Sequence, residues 1–473
     1  MKRLSMVDDM FLRFESRRMP LHIGMLLLLE PPDDAPEDFA AQLADKLKQS
    51  TRTAPPFNRR LVRRRGLHYW EEDEEFDLAH HFAHTALPKP GRIRELLAMI
   101  SRVHCAHIDR AYPLWRVYFI EGLEDGRFAV YMKVHHSVTD GVAGMRMLMD
   151  AMSNDREAST RLPPMWEVGR TASKRKAQPL PVPTPALGYV NAMRNLARER
   201  SLGPLFRELS HSASDLRKKN PDFVMGGQAP RTIFNEKVSA TRRFAAQSYS
   251  TSRMRAVAEA FDASLNDVVL AMCGGALRTY LAAMDQLPGK SLVAGVPVSV
   301  RKKGDTGLGN EVSFTLTHLG THIEDPVERL LAVKRCMDTN KQRMQHLTSG
   351  QLMAYAALML MPGALNEVLH FSKDTTLGNV CISHVPGPRE DMYWQGARLS
   401  GLYPASLLLD GLTLNITLIS RHDTVDFGIV ACRKTVPSVQ RLLDYLEDAL
   451  VELEAGVKKR RRGRRKPVAR SKS

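Results

Sequence analysis

The sequence predicts an α/β (α+β) chain built as two units with a connector between them, and three observations lead there. At 473 residues the chain is longer than one hydrophobic core usually organises, since chains beyond about 250–300 residues tend to split into domains. Residues 1–153 and 233–457 each mix strand-like alternation with helix-like apolar spacing. Residues 154–232 between them turn rich in proline and arginine. The composition, 43% hydrophobic and 25% charged, is that of a globular protein with ample apolar material for a core.

In the first unit Leu21 to Leu29 reads as a short apolar strand. Pro36 opens a helix with Glu37 and Asp38 in its first turn, where acids suit the helix dipole. Phe39, Leu43 and Leu47 then lie four apart as one stripe. Further on, Phe128, Val130, Met132 and Val134 alternate with Ala129, Tyr131 and Lys133 as a strand. The loop His135-His136-Ser137-Val138-Thr139-Asp140-Gly141 follows, and Val142, Met145, Met149 and Met152 keep helical spacing after it.

In the connector, Pro179 to Pro185 alternates proline with other residues and reads as extended chain. A basic helix-like stretch with Leu196, Leu205 and Leu209 comes next, so residues 154–232 look like a crossover. The second unit starts with a short helix capped by Ser252 and carrying Met254, Val257 and Phe261. Ser264 and Asp267 form a capping-box pattern that opens a longer helix bearing Val269, Met272, Cys273, Ala276, Leu277, Tyr280 and Leu281. Leu412 to Ser420 and Val425 to Cys432, separated by Arg421-His422-Asp423-Thr424, read as a hairpin. No short internal repeat is visible.

Several function classes are disfavoured by the bulk numbers. Five scattered cysteines (Cys105, Cys273, Cys336, Cys381, Cys432) form no C-x-x-C pair, which argues against a disulfide framework or zinc site and fits a reducing cytoplasm. Met1 to Met19 lacks a signal-peptide apolar core. The strongest apolar run, Leu352 to Met361, is half the ~20 residues a membrane span needs, and it ends at Pro362. Of the formal charge of +16, residues 458–473 supply ten Lys or Arg and no acid, which leaves +6 for residues 1–457. Self-repulsion and the residues Gly463 and Pro467 make this tail read as disordered. A basic tail suits nucleic acid or an anionic membrane; no nucleic-acid module is recognisable, so the membrane surface is the expected partner.

The chemistry points to residues 128–152. Histidines at the end of a strand sit where α/β folds place functional groups, and imidazole is suited to proton transfer near neutral pH. Successive strand residues point to opposite faces, so His135 and His136 would do different jobs, one facing a cleft and one packing behind it. Gly141 permits a tight turn, and Asp140 could anchor the loop through an arginine. The bland alternative is a chance pair of histidines that only satisfy hydrogen bonds. Zinc is a weaker reading, because adjacent histidines diverge and no third ligand has suitable spacing.

His135-His136-x-x-x-Asp140-Gly141 resembles the HHxxxDG signature of acyltransferases related to chloramphenicol acetyltransferase and to peptide-synthetase condensation domains. From Met1 to about Ala455 the chain resembles one branch, the bacterial wax ester synthase/acyl-CoA:diacylglycerol acyltransferases. The resemblance rests on an ordered set of segments: Pro90 to Leu97, Pro113-Leu114-Trp115, Arg242 to Ser248, Asn266 to Ala271, Pro297 to Arg301 and Leu414 to Thr417. Ser383-His384-Val385-Pro386-Gly387-Pro388 departs from it, because the family usually has Asn where His384 stands.

The resemblance implies two chloramphenicol-acetyltransferase-like halves forming a pseudo-dimer with a tunnel at their junction. It implies His136 as general base, His135 and Asp140 as its companions in the loop, and an Asp140 salt bridge for which Arg301 is the candidate. The substrates implied are acyl-CoA, as co-substrate, and a long-chain alcohol or diacylglycerol. No other cofactor, no metal and no covalent acyl-enzyme are expected. Asn266 and Asn415 are candidate oxyanion donors, although a helix first turn for Asn266 and a cross-sheet hydrogen bond for Asn415 are the simpler readings, the more so for Asn266. Pro113-Leu114-Trp115 reads as packing, and the Met-rich run Met353 to Met361 reads as core or as acyl-channel lining. Two rivals remain: a condensation-type enzyme using carrier-bound acyl groups, and a non-enzymatic basic coat protein of lipid inclusions. The expected location is cytoplasmic, peripheral on the inner membrane face or on lipid inclusions.

Overall fold

The structure is a computed structural model that describes residues 1–139, 141–168, 202–299, 312–369 and 371–465. Packing divides the chain into two compact units, each discontinuous in sequence. One comprises Met1–Leu180, Glu236–Tyr249 and Ser383–Val439; the other comprises Pro181–Asn235, Ser250–Ile382 and Gln440–Ser473.

The first unit is organised on a six-stranded sheet in the order Tyr393–Trp394, Ala397–Ala405, His22–Glu30, Phe128–His135, Trp115–Glu121, Phe82–Ala86. Its ladders are antiparallel except the last, where Phe82–Ala86 runs parallel to Trp115–Glu121. Phe128–His135 is central and buried along its whole length, so both of its faces must be covered. Val130, Met132 and Val134 pack with Leu43, Ala44 and Leu47 of the helix Phe39–Lys48. Ala129 and Tyr131 on the other face pack with Leu96 and Ile100 of the helix Ile93–Cys105. The hairpin Leu414–Ser420/Thr424–Cys432 turns between Ser420 and Val425, which are cross-strand partners.

In the second unit Val293–Ser299 pairs antiparallel with Val312–His318, and its Ala294 and Gly295 pair in parallel with Val380 and Cys381. The helix Leu265–Ala282 is buried nearly all round, as its apolar composition requires. Gly274 on that helix cannot carry a side chain, because a Cβ would lie 2.1 Å from the carbonyl oxygen of Leu319. The expected capping box is present: Ser264 and Asp267 each bond the other's backbone N–H.

Three expectations change, and one proline proves to lie inside a helix. The first helix starts at Phe39, with Pro36 only in the preceding turn, where its carbonyl accepts the Phe39 N–H. The helix expected behind Ser252 is Thr251–Phe261, preceded by Ser250. Pro362 does not stop the helix Ser349–Leu369. The second-unit chain supports it there, since Gly226 approaches closely and donates its N–H to Met359 O at 2.8 Å. Finally, part of the basic tail is helical, because Arg441–Arg465 is one helix. Cations at a helix C-terminus are favoured by the dipole, and Arg460 lies 5.2 Å over the ring of Phe261.

The sequential division at residues 153, 233 and 457 also differs from the packing. Ala397–Ala405 pairs with His22–Glu30 and so completes the sheet of the first unit, while Trp166 of the expected connector is buried beside Phe82 and Trp115. Pro179 to Pro185 and Leu196 lie outside the described residues. Among the described residues no single helix is long and apolar enough to cross a membrane.

Candidate active site

His135 is the last residue of its strand and His136 the first of the turn that follows. Two carbonyls from neighbouring chain fix this exit: His135 N–H donates to Leu114 O at 2.9 Å and His136 N–H to Leu21 O at 3.0 Å. The Pro113-Leu114-Trp115 segment is therefore both packing and support. Trp115 is buried, donates its Nε1–H to Phe57 O at 2.8 Å and stacks on His81 and Trp166.

The two rings have different surroundings. His135 is 1% exposed. Its Nδ1 accepts the Ser137 backbone N–H at 3.1 Å and lies 2.7 Å from the Ser137 hydroxyl. A backbone N–H can only donate, so the proton of the neutral ring resides on Nε2. That atom faces Glu15 Oε1 at 3.7 Å, too long for a hydrogen bond. Burial, opposed by the Glu15 carboxylate and aided by Arg110, pulls His135 down to about 4. At neutral pH it is an uncharged ring whose lone pair is already occupied.

Glu15 is the hub behind it. Its Oε2 accepts from Arg110 at 3.2 and 2.8 Å, and its Oε1 accepts the Leu21 N–H at 3.2 Å. Burial pushes the carboxyl up, but His135 and Arg110 outweigh it and hold Glu15 below its usual range. Further along the same strand face Lys133 is fully buried and donates to Val103 O at 2.8 Å and Ala106 O at 2.5 Å. Desolvation, with Arg116 adding, lowers that amine to about 7. His136 differs: it is only half-buried, and its ring stacks on Phe11 with centroids 4.4 Å apart and planes 14° from parallel.

Known proteins resemble this chain along nearly its full length. The wax ester synthase/diacylglycerol acyltransferase catalytic domain matches residues 4–269, and the C-terminal domain of the same family matches residues 308–454. An O-acyltransferase of Acinetobacter baylyi is 42% identical over 97% of this chain and 98% of its own. A putative diacylglycerol O-acyltransferase of Mycobacterium tuberculosis is 44% identical over 96% of this chain and 100% of its own. The solved wax ester synthase/diacylglycerol acyltransferase of Marinobacter aquaeolei superposes with a TM-score of 0.78 at 41% identity, covering 97% of this chain and 100% of that one. The chain belongs to the wax ester synthase/diacylglycerol acyltransferase family.

It is accordingly an acyltransferase of the α+β, two-domain architecture seen in that family. The first condensation domain of the calcium-dependent antibiotic synthetase shares the fold alone, with a TM-score of 0.54 at 14% identity over 96% of each chain.

The other expected site residues are distributed unevenly. Asp140 and Arg301 lie outside the described residues. Gly141 begins the helix Gly141–Asp150, and among the described residues a Cβ there would meet nothing within 4 Å. Asn415 is in the first unit, 7% exposed, and its Oδ1 accepts the Thr417 hydroxyl at 2.8 Å, which directs its amide N–H₂ elsewhere. Asn266 is in the second unit, in the first turn of the helix Leu265–Ala282.

His384 bonds the Ser420 hydroxyl through Nε2, and burial lowers it to about 4. In the Met-rich run Ala354 and Tyr355 are core, whereas Met361 is exposed. Among the described residues no cluster of three or more His, Cys, Asp or Glu could hold a metal ion.

Sequence reasoning missed Phe11, Glu15 and Arg110. Glu15 follows Phe11 by four residues at the end of a helix, which is ordinary helical spacing. Nothing in that local pattern points to histidines more than a hundred residues away.

Proposed function

We propose that the chain transfers a long-chain acyl group from acyl-CoA to the hydroxyl of a long-chain alcohol or a diacylglycerol, with His136 as the general base. The observation that carries the base assignment is the occupied Nδ1 of His135. With that lone pair taken and its ring neutral, His135 has no basic nitrogen to offer, so the adjacent ring must act. In the reaction His136 takes the hydroxyl proton as the oxygen attacks the thioester carbon. The tetrahedral intermediate collapses, the C–S bond breaks, and the proton passes from His136 to the departing thiolate. Ester and free CoA result, and the scheme calls for neither a covalent acyl-enzyme nor a metal. Holding two substrates beside one base supplies much of the rate, and general-base catalysis adds about 10²–10⁴-fold.

Asn415 and Asn266 are the proposed oxyanion donors, Asn415 through the N–H₂ left to it by Thr417. Asp140 is proposed to fix the loop through an ion pair with Arg301. An anionic membrane or lipid-inclusion surface is the proposed location, supported by the ten cations of residues 458–473.

The test is product analysis of purified protein given a long acyl-CoA with hexadecanol and diacylglycerol in competition. Wax ester, triacylglycerol or both are expected, in proportions that define the preferred acceptor. Absence of both, with amide formed instead from a carrier-bound acyl group and an amine, would replace this reading with a condensation-type activity.

A further inference from the structure

The N-terminal segment holds His136 at two points. Leu21 O accepts its backbone N–H at 3.0 Å, and ten residues earlier Phe11 stacks on its ring at 4.4 Å. We infer that Phe11 is a positioning residue for the base, holding the His136 imidazole in the orientation from which it takes the acceptor's proton. This rests on the assignment of His136 given above.

The stack is built on a firm element. The helix Met6–Phe14 is capped by Ser5, whose hydroxyl accepts the Asp8 N–H at 3.1 Å. Asp9 bonds Arg13 at 2.6 Å and His68 at 2.5 Å, and the chain just before the helix is tied by Leu4 N–H to His68 O at 3.2 Å. Met10, Phe11 and Leu12 are all buried. Just past the helix Glu15 is gripped by Arg110, which also donates to Leu12 O at 2.7 Å. Phe11 therefore has little freedom to follow a moving partner.

An imidazole joined to a fixed backbone still has two rotatable bonds. Rotation about either one breaks a stack only 14° from parallel. A general base must bring its nitrogen within about 2.6–3.2 Å of the proton it abstracts, and a displacement of about 1 Å can cost on the order of 10²-fold in rate. The contact that Phe11 makes is with the ring of the base. Removing it should slow turnover without weakening substrate binding.

The experiment compares full-length Phe11→Leu, Phe11→Met and Phe11→Tyr enzymes with wild type and with His136→Ala. For each, kcat and KM for acyl-CoA and hexadecanol are measured, together with the melting temperature. Leu and Met keep apolar bulk without a flat face, so either serves if the other fails to fold. The expected result for both is a kcat about tenfold lower, both KM values within about twofold of wild type, and a melting temperature lowered by only a few degrees, about what a conservative core swap costs. Phe11→Tyr, which keeps the flat ring, should restore kcat. A wild-type kcat in the folded Leu and Met variants would overturn the inference. So would a kcat loss that tracks a fall in melting temperature and is not rescued by Tyr. Near-normal turnover by His136→Ala would instead bring down the base assignment itself, which separates the two failures.

Discussion

Ser137 donates its backbone N–H to the Nδ1 of His135 at 3.1 Å, and the bond leaves the ring proton of His135 on Nε2, facing Glu15. Two adjacent residues of one type thereby become chemically unlike. One is a neutral, buried strut between the turn and a carboxylate; the other is half-buried at the strand end against Phe11.

The two histidines should separate in mutagenesis. His136→Ala is expected to keep its melting temperature and to lose turnover by about 10²-fold or more. His135→Ala removes a buried ring that bonds Ser137, so it should lower stability by about 2–4 kcal/mol and reduce turnover less than His136→Ala does. Thermal melts and steady-state rates on the same preparations check both. The opposite ordering of the two rates would remove the argument from the occupied Nδ1.

His384 should make the fold sensitive to mild acid. Burial holds its folded-state value at about 4, against 6.5 for the free side chain. The unfolded chain therefore takes up a proton below about pH 6.5 that the folded chain resists until about pH 4. Stability from this group is fully present above pH 6.5 and is lost as the pH falls towards 4, reaching a loss of about 2 kcal/mol by pH 5. His384→Asn, which removes the titrating ring and keeps a polar side chain, should flatten the decline of urea-unfolding stability between pH 7.5 and 5. Equal slopes for the two proteins would show that His384 titrates normally.

Asp426 is fully buried and bonds Arg421 Nε at 2.5 Å, the Ser248 hydroxyl at 2.6 Å and the Leu402 N–H at 2.9 Å. Removing the carboxylate leaves Arg421, itself 8% exposed, without its counter-charge. Asp426→Ala should cost about 3–5 kcal/mol, read as a lower urea midpoint. Arg421→Ala should cost a similar amount, and the double variant clearly less than the sum of the two. Additive losses would mean that the pair is not coupled.

The basic C-terminus should govern location and leave chemistry alone. Ending the chain after Arg465 keeps the helix Arg441–Arg465 and removes Lys466, Arg470 and Lys472. Each cation near an anionic surface contributes about 1 kcal/mol, screened over a Debye length of about 8 Å at physiological salt. Sedimentation with anionic vesicles should weaken, most at low salt, while turnover on a short, water-soluble alcohol stays at the wild-type level. Equal sedimentation across a salt series would leave those three residues without a docking role.

How much of this was legible in the chain follows from the range of each interaction. The strand Phe128–His135, the capping box at Ser264 and Asp267, and the hairpin around residues 421–424 were readable because their signals lie within a few residues of one another. The histidine pair was readable for the same reason. Strand alternation says only that the two differ and not which does what; it was the family resemblance that singled out His136 as the base.

By itself the sequence determined the α+β class, the family and the loop proposed to carry the chemistry, since local periodicity and an ordered series of motifs are properties of the chain alone. Tertiary structure decided the rest. Ala397–Ala405 joins the sheet beside His22–Glu30 through backbone hydrogen bonds, which carry no side-chain signature, so the two units could not be cut from the sequence in order. Glu15 meets His135, and Phe11 meets His136, only because a helix near residue 10 folds against a strand end near residue 135. Contacts across such a separation are set by packing, and neither partner's neighbours in the chain record them.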